Sequence, residues 1–204
     1  MPTPDSIPPL YGLVMAGGRS SRMGSDKVAL DLHGTPQGRH CFDLLTKPLE
    51  HVWMSIRKDL PDDDALAGLD CILDAHGDIG PMSGVLSALE YKPDAAWLVL
   101  ACDLPFVTPR AIEELIEARD PGRMATAFMA SDGYFEPLLA IYEPSVADHL
   151  RHRLDAGRYG LRKALADADV QMVCASDERL LMNVNTPEDL ADARARLAAE
   201  KAGL

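Results

Sequence analysis

An α/β fold of three layers is predicted for this chain, with a mainly parallel but mixed sheet between two sets of helices. Three observations predict it. Short apolar runs at residues 13–16, 52–56, 71–73 and 97–101 alternate with helix-like stretches, the pattern of strands joined by crossover helices. The first run empties into a glycine-rich loop, and an Asp-Gly turn in the second half joins two more apolar runs as a hairpin, which adds antiparallel pairing. At 204 residues, 47% of them hydrophobic, the chain can close one large core and needs no second domain. We therefore expect a Rossmann-like three-layer sandwich over residues 11–204, after a proline-rich segment, residues 1–10, expected to be disordered.

The opening strand passes through Leu13, Val14, Met15 and Ala16 into Gly17-Gly18-Arg19-Ser20-Ser21-Arg22-Met23-Gly24-Ser25-Asp26-Lys27. Gly17, Gly18 and Gly24 let the backbone approach an anion and turn through positive φ, so that several N–H groups can converge on phosphate oxygens. Arg19, Arg22 and Lys27 add positive charge, Arg22 as a bidentate fork and Lys27 as a mobile point charge. No Gly-Lys-Ser/Thr follows at the spacing of a Walker loop, and Arg19 stands where a dinucleotide fingerprint needs its second glycine. An ordinary surface turn explains a lone Gly-Gly but not the whole run. Polyphosphate binding is the expectation.

The strands at 52–56, 71–73 and 97–101 are apolar enough for burial on both faces. Pro81 is suited to open a helix as its first residue, with Val85, Leu86 and Leu89 on one face; Thr108-Pro109 opens the next, with Ile112, Leu115 and Ile116. The runs 124–130 and 135–142 are joined only by Ser131-Asp132-Gly133-Tyr134, and this antiparallel extension is a natural place for a second substrate. Residues 144–167 read as helical, with Leu150, Leu154, Leu161 and Leu165 as core contacts. A last strand is expected at 170–174, after which Thr186 caps a helix that starts at Pro187 and continues through Leu190, Ala193 and Leu197.

The formal net charge of −12 argues against a general binder of nucleic acid or of a bilayer surface, because both are polyanionic. An anionic small substrate then needs a local basic pocket, which the loop supplies. Cys41, Cys71, Cys102 and Cys174 form no Cys-x-x-Cys pair and read as reduced; those in apolar strand-like runs are expected to be buried, and zinc is not expected. The first ten residues lack the basic start and apolar run of a signal peptide, and no stretch is long and apolar enough to span a membrane, so a cytoplasmic protein is expected.

In open α/β sheets ligands gather beyond the carboxyl ends of strands, where Asp103 follows the run 97–101. A carboxylate there suits Mg²⁺, or else shapes the turn before Pro105. Asp74 also ends a strand, where turn capping is its plain alternative. Gly80 and Gly84 flank the helix start at Pro81; base or ribose contact and simple loop-to-helix geometry both account for them. Asn183 and Asn185 alternate about Val184, so both amides share a side while the valine faces the core, though asparagines also form turns before helix caps. Glu136 could receive a second substrate, contact the metal or stay solvated.

The loop resembles the signature of the nucleotidyltransferases, specifically of the molybdenum cofactor guanylyltransferases. Asp74, residues 80–84, 102–106 and 136–138, and Asn183-Val184-Asn185-Thr186-Pro187-Glu188-Asp189-Leu190 match that family in order. The resemblance implies the nucleotidyltransferase fold, with Met15, Ala16, Gly17, Gly18, Lys27, Asp74, Gly80 and Asp103 around GTP. It implies Arg22, Lys27 and Asp103 as catalytic residues, Asp103 as the Mg²⁺ ligand, and Glu136, Asn183 and Asn185 as contacts to the second substrate. The implied reaction is attack by the terminal phosphate of molybdopterin on the α-phosphorus of GTP, giving the guanine dinucleotide cofactor, destined for molybdoenzymes, and pyrophosphate. A phosphate monoester is already largely ionised near pH 7, its second pKa being roughly 6, so no protein base is required, and the six histidines sit in no nucleophile-activating motif. One departure stands out: Met54 replaces an asparagine common in the family near the end of the second strand, so any contact made by that amide must be absent or replaced. The rivals are a cytidylyltransferase acting on the same pterin, whose loop usually reads Ala-Ala-Gly, a transferase using another phosphorylated acceptor, and a non-catalytic nucleotide-binding carrier of cofactor.

Overall fold

The computed structural model describes residues 7–16, 27–57 and 68–201, and the side chains of Lys27, Glu200 and Lys201 are not among what it describes. Gly17, Gly18, Arg19, Arg22, Gly24 and the Lys27 side chain, on which the phosphate-loop reading rests, therefore lie outside the described residues. Seven strands, β1 (Leu10–Met15), β2 (Val52–Ile56), β3 (Cys71–Leu73), β4 (Ala96–Ala101), β5 (Ala125–Met129), β6 (Phe135–Tyr142) and β7 (Val170–Cys174), form one sheet in the order β3-β2-β1-β4-β6-β5-β7. All neighbours pair in parallel except β6, which runs antiparallel to both β4 and β5. The sheet is thus mixed through a single reversed strand.

Helices α1 (Gln37–Leu45) and α3 (Pro109–Glu117) cover one face, α2 (Pro81–Tyr91), α4 (Ala147–Asp155) and α5 (Leu161–Ala166) the other. Period-two alternation divides each strand between them: Val14, Met54, Leu98 and Leu100 enter the first core, while Leu13, Met15, Trp97 and Val99 enter the second. Every residue of β4 is buried, as its unbroken apolar run requires. Helix α6 (Pro187–Lys201) closes a smaller cluster of Leu32, Phe106, Val184, Ala193 and Leu197.

Four details differ from the sequence expectation. β1 starts at Leu10, three residues early, because Pro9 O accepts from Ala96 N–H at 2.9 Å and Leu10 registers with Ala96; residues 9 and 10 thereby join the amino end of a central strand. The stretch 144–167 is two helices after a 3-10 turn, because Gly157 turns left-handed (φ 68°) and sends its N–H back to Leu154 O, ending α4. Among the strand cysteines only Cys102 is buried; Cys71 and Cys174 are exposed because β3 and β7 are the sheet's edges. Residues 124 and 130, at the ends of one hairpin arm, fall outside β5, although the turn between the arms is where Asp-Gly put it, with Gly133 at φ 80°. Among the described residues no helix is long and apolar enough to cross a membrane.

Candidate functional site

The strand order reverses beside β1: β2 and β3 lie on one side of it and β4 on the other, which makes the crevice at the carboxyl ends of β1 and β4 the place where an open sheet receives a ligand. Met15 and Ala16 line that crevice with their backbone held from both sides, Ala16 N–H donating to Ser55 O at 3.3 Å and Met15 O accepting from Cys102 N–H at 3.4 Å. The chain returns from the glycine loop through a 3-10 turn, Lys27–Ala29, anchored by the buried Val28 against the flat surface of Gly38. The described residues on either side of the loop, Ala16 and Val28, are therefore both packed into the fold.

On the β2–β3 side stands Asp74, half-buried past the end of β3. Ser55 Oγ donates to its Oδ1 at 2.6 Å. Burial raises the Asp74 carboxyl above its ordinary range, against which work the Ser55 hydrogen bond and the charges of Arg57 and His76. The backbone beyond Asp74 is held by α2: Ala75 N–H donates to Ser87 Oγ at 2.8 Å and His76 N–H to Ser83 Oγ at 3.1 Å. Gly84, on the same helix, lies directly under the Ser55–Asp74 pair. A Cβ there would meet Ser55 Oγ, Met15 Cε at 2.7 Å and Asp74 Oδ1 at 3.2 Å, so close packing explains this glycine. Gly84→Ala is expected to lower stability by about 1–3 kcal/mol, as overpacking does, read as an earlier urea midpoint at unchanged slope. Gly80 is a glycine for a different reason: it caps α2 at φ 75°, with open space where a Cβ would be. Met54 points into the α1-side core and is wholly buried, so the side chain that reaches the site from β2 is Ser55, one residue on.

Across the crevice, β6 begins next to the end of β4, since Leu100 pairs with Leu139, and the Asp103 charge, in the turn after β4, is felt by Glu136 near the start of β6. Asp103 is half-buried and Glu136 is 3% exposed. Burial raises the Glu136 carboxyl above the usual glutamate range and the Asp103 charge adds to the rise, while the Leu138 N–H, the Arg162 charge and a hydrogen bond with Asn183 oppose it. Asn183 is held there because Val184 N–H donates to Asp103 O at 2.9 Å and the Val184 side chain is buried under α6. Asn185 is exposed, and its backbone shares in a capping box: Asp189 Oδ2 accepts from the N–H groups of Asn185 and Thr186, each at 2.9 Å, while Thr186 Oγ1 accepts from Asp189 N–H.

The fold thus gathers Met15, Ala16, Asp74, Asp103, Glu136 and Asn183 at one sheet edge, and the cap geometry accounts for the backbone of Asn185. At the β5–β6 hairpin a pocket of about 590 Å³ is lined by Met129, Asp132, Arg162, Cys174, Arg179 and Met182, among others. Arg162 pairs with Asp132 at 3.1 Å and lies over the ring of Tyr134, and Arg179 pairs with Asp177 at 2.6 Å. Ser55, Arg162 and Arg179 escape a sequence reading because none belongs to a motif. Among the described residues no three His, Cys, Asp or Glu side chains cluster as a closed metal cage.

Residues 12–175 match the model of the MobA-like NTP transferase domain. The Molybdenum cofactor guanylyltransferase of Pseudomonas putida is 34% identical over 93% of this chain and 100% of its own length. The Molybdenum cofactor biosynthesis bifunctional protein of Synechocystis is 36% identical over 89% of this chain, which spans about half, 52%, of that longer relative. Among solved structures, molybdopterin-guanine dinucleotide biosynthesis protein A from Archaeoglobus fulgidus superposes with a TM-score of 0.75 at 27% identity, covering 92% of this chain and 98% of that one.

Proposed function

Because the chain belongs to the MobA-like NTP transferase family, we propose that it transfers GMP from GTP to the terminal phosphate of molybdopterin, releasing pyrophosphate and forming the guanine dinucleotide cofactor that molybdoenzymes take up. The observation that carries this reading is the end-to-end match to a relative named as a guanylyltransferase. It is supported by a switch-point crevice that presents Asp74 on the β2–β3 side of β1 and Asp103 with Glu136 on the β4–β6 side.

The donor set suits magnesium. Two carboxylates close enough for the charge of one to act on the other, with an amide beside them, are hard oxygen donors whose mutual repulsion a divalent cation relieves. Asp103 would hold the ion, with Glu136 and Asn183 alongside; when bound it supplies positive charge against the triphosphate. The chain's own contribution is positioning. Met15 and Ala16 start the loop whose amides, with Gly17 and Gly18, cradle the phosphates, while Gly80 opens the helix beside the base. Arg22 and Lys27, by their place in the glycine-rich motif, are the cations assigned to counter the charge of the departing pyrophosphate. Glu136, Asn183 and Asn185 orient the acceptor, whose phosphate oxygen forms a bond to the α-phosphorus as the bond to the β-phosphate bridging oxygen breaks. The acceptor phosphate arrives ionised, so no side chain need remove a proton. A chain carrying reduced thiols and using GTP fits a cytoplasmic setting.

Pyrophosphate release measured with GTP, CTP and ATP in parallel, with and without metal-loaded pterin, tests the reading. GTP is expected to lead, and only with pterin present. Preference for CTP would make the chain a cytidylyltransferase, and nucleotide affinity without pyrophosphate from any of the three would make it a carrier.

A further inference from the structure

We propose that Ser55 is a positioning residue for base selection: its hydroxyl clamps one oxygen of Asp74 above Gly84, so that the carboxylate is aimed to accept the paired N–H groups of a guanine edge. This rests on the guanylyltransferase reading and names how the chain would choose its nucleotide.

Ser55 is 1% exposed on a strand whose neighbours Met54 and Val52 are core residues of the opposite face. A hydroxyl so buried must find its acceptor within the protein, and it finds Asp74 Oδ1 at 2.6 Å. The surroundings are built around that contact. Gly84 leaves the space the hydroxyl occupies, and any Cβ there would also crowd Oδ1 at 3.2 Å. Ser83 and Ser87 hold the two N–H groups that follow Asp74, so the carboxylate is fixed through its backbone as well as through Ser55. Arg57 and His76 face the same carboxylate, but each also has an acid of its own, Asp78 at 3.7 Å and Glu90 at 2.9 Å.

The chemistry follows from lone pairs. Each carboxylate oxygen has two, and Ser55 uses one of the four. Guanine presents two adjacent donors, the ring N1–H and the 2-amino group, which a fixed carboxylate can accept side by side. Adenine and cytosine present a ring acceptor beside a single amino group, and an ionised carboxylate repels that acceptor. A site built to accept a donor pair rejects a base lacking it more strongly than an apolar pocket could. The serine hydroxyl keeps Asp74 in the orientation this needs and favours its ionised form against burial.

The test is Ser55→Ala, Asp74→Asn and the double variant, assayed with GTP and with inosine triphosphate, which lacks the 2-amino group. For Ser55→Ala the KM for GTP should rise roughly ten-fold at nearly unchanged kcat, the size expected for losing a hydrogen bond to a charged group. The preference for GTP over inosine triphosphate should shrink. The acid limb of kcat/KM for GTP should move to higher pH, because losing the hydroxyl removes the largest influence that holds the Asp74 carboxyl down. In the Asp74→Asn background the serine change should add almost nothing to KM, which a merely structural serine would not satisfy. A Ser55→Ala enzyme that keeps both KM and base preference, or an effect that persists in full without Asp74, overturns the inference alone. A wild-type enzyme that prefers CTP overturns the guanylyltransferase reading as well.

Discussion

Asp103→Ala should lower kcat for pyrophosphate release by roughly 10²–10³-fold at saturating magnesium, the loss seen when a transition-state electrostatic group is removed, while leaving the thermal unfolding midpoint within a few degrees. The split between activity and stability follows from where the residue sits. β4 is the most deeply buried strand, and its core contacts end with the chain segment Ala101, Cys102, Leu104 around Asp103, which is itself only half-buried. The backbone of Asp103 does the structural work, accepting from Val184 N–H at 2.9 Å, and alanine keeps that carbonyl. What alanine removes is the carboxylate that shares its environment with Glu136. Wild-type turnover by this variant would dismiss Asp103 as the metal ligand. A variant that lost activity only by unfolding would show the loss first as a fallen midpoint in calorimetry.

The largest stability effect is expected far from the site, at Arg119. Its guanidinium forks onto Glu143, Nε to Oε1 at 2.6 Å and Nη2 to Oε2 at 3.0 Å, and Nη2 also donates to Pro8 O at 2.9 Å. The arginine side chain is 10% exposed and the glutamate 1%. Arg119→Ala strands a buried carboxylate and should destabilise the fold by about 3–5 kcal/mol, measurable as a lower urea midpoint. Replacing the pair together, Arg119→Met with Glu143→Leu, should recover most of that loss, because the greater part of the cost is the orphaned charge rather than the missing attraction. The pair ties the end of α3 to the end of β6 and to the segment entering β1, at the amino edge of the parallel strands. The KM for nucleotide should therefore stay near wild type at temperatures where the variant is folded.

The two variants probe parts of the chain that differ in legibility. Asp103 could be found because an apolar run announces its strand and the polar residue at its carboxyl end announces the ligand side. Arg119 could not, since it follows an amphipathic helix like any exposed cation and its partner lies 24 residues on, past a hairpin. The same contrast runs through the site. Asp74 ends a readable strand, whereas Ser55 sits inside one and looks like an unremarkable polar interruption. Gly157 shows the limit at the level of elements: leucine spacing carries the helical pattern across residues 144–167, and the left-handed turn that divides it is a local backbone event that the hydrophobic pattern does not register.

From sequence alone come the alternation of strand and helix, the hairpin at Asp132-Gly133, the caps at Thr108 and Thr186, and the family, because each is written in local spacing, turn chemistry or contiguous motif. Only the tertiary structure decided that Glu136 feels the charge of Asp103, that Ser55 holds Asp74 over Gly84, and that Met54 belongs to the core rather than the crevice. Those facts depend on strand order and register, which bring together residues far apart in the chain, and no local pattern encodes the distance between two segments that meet only when the sheet closes.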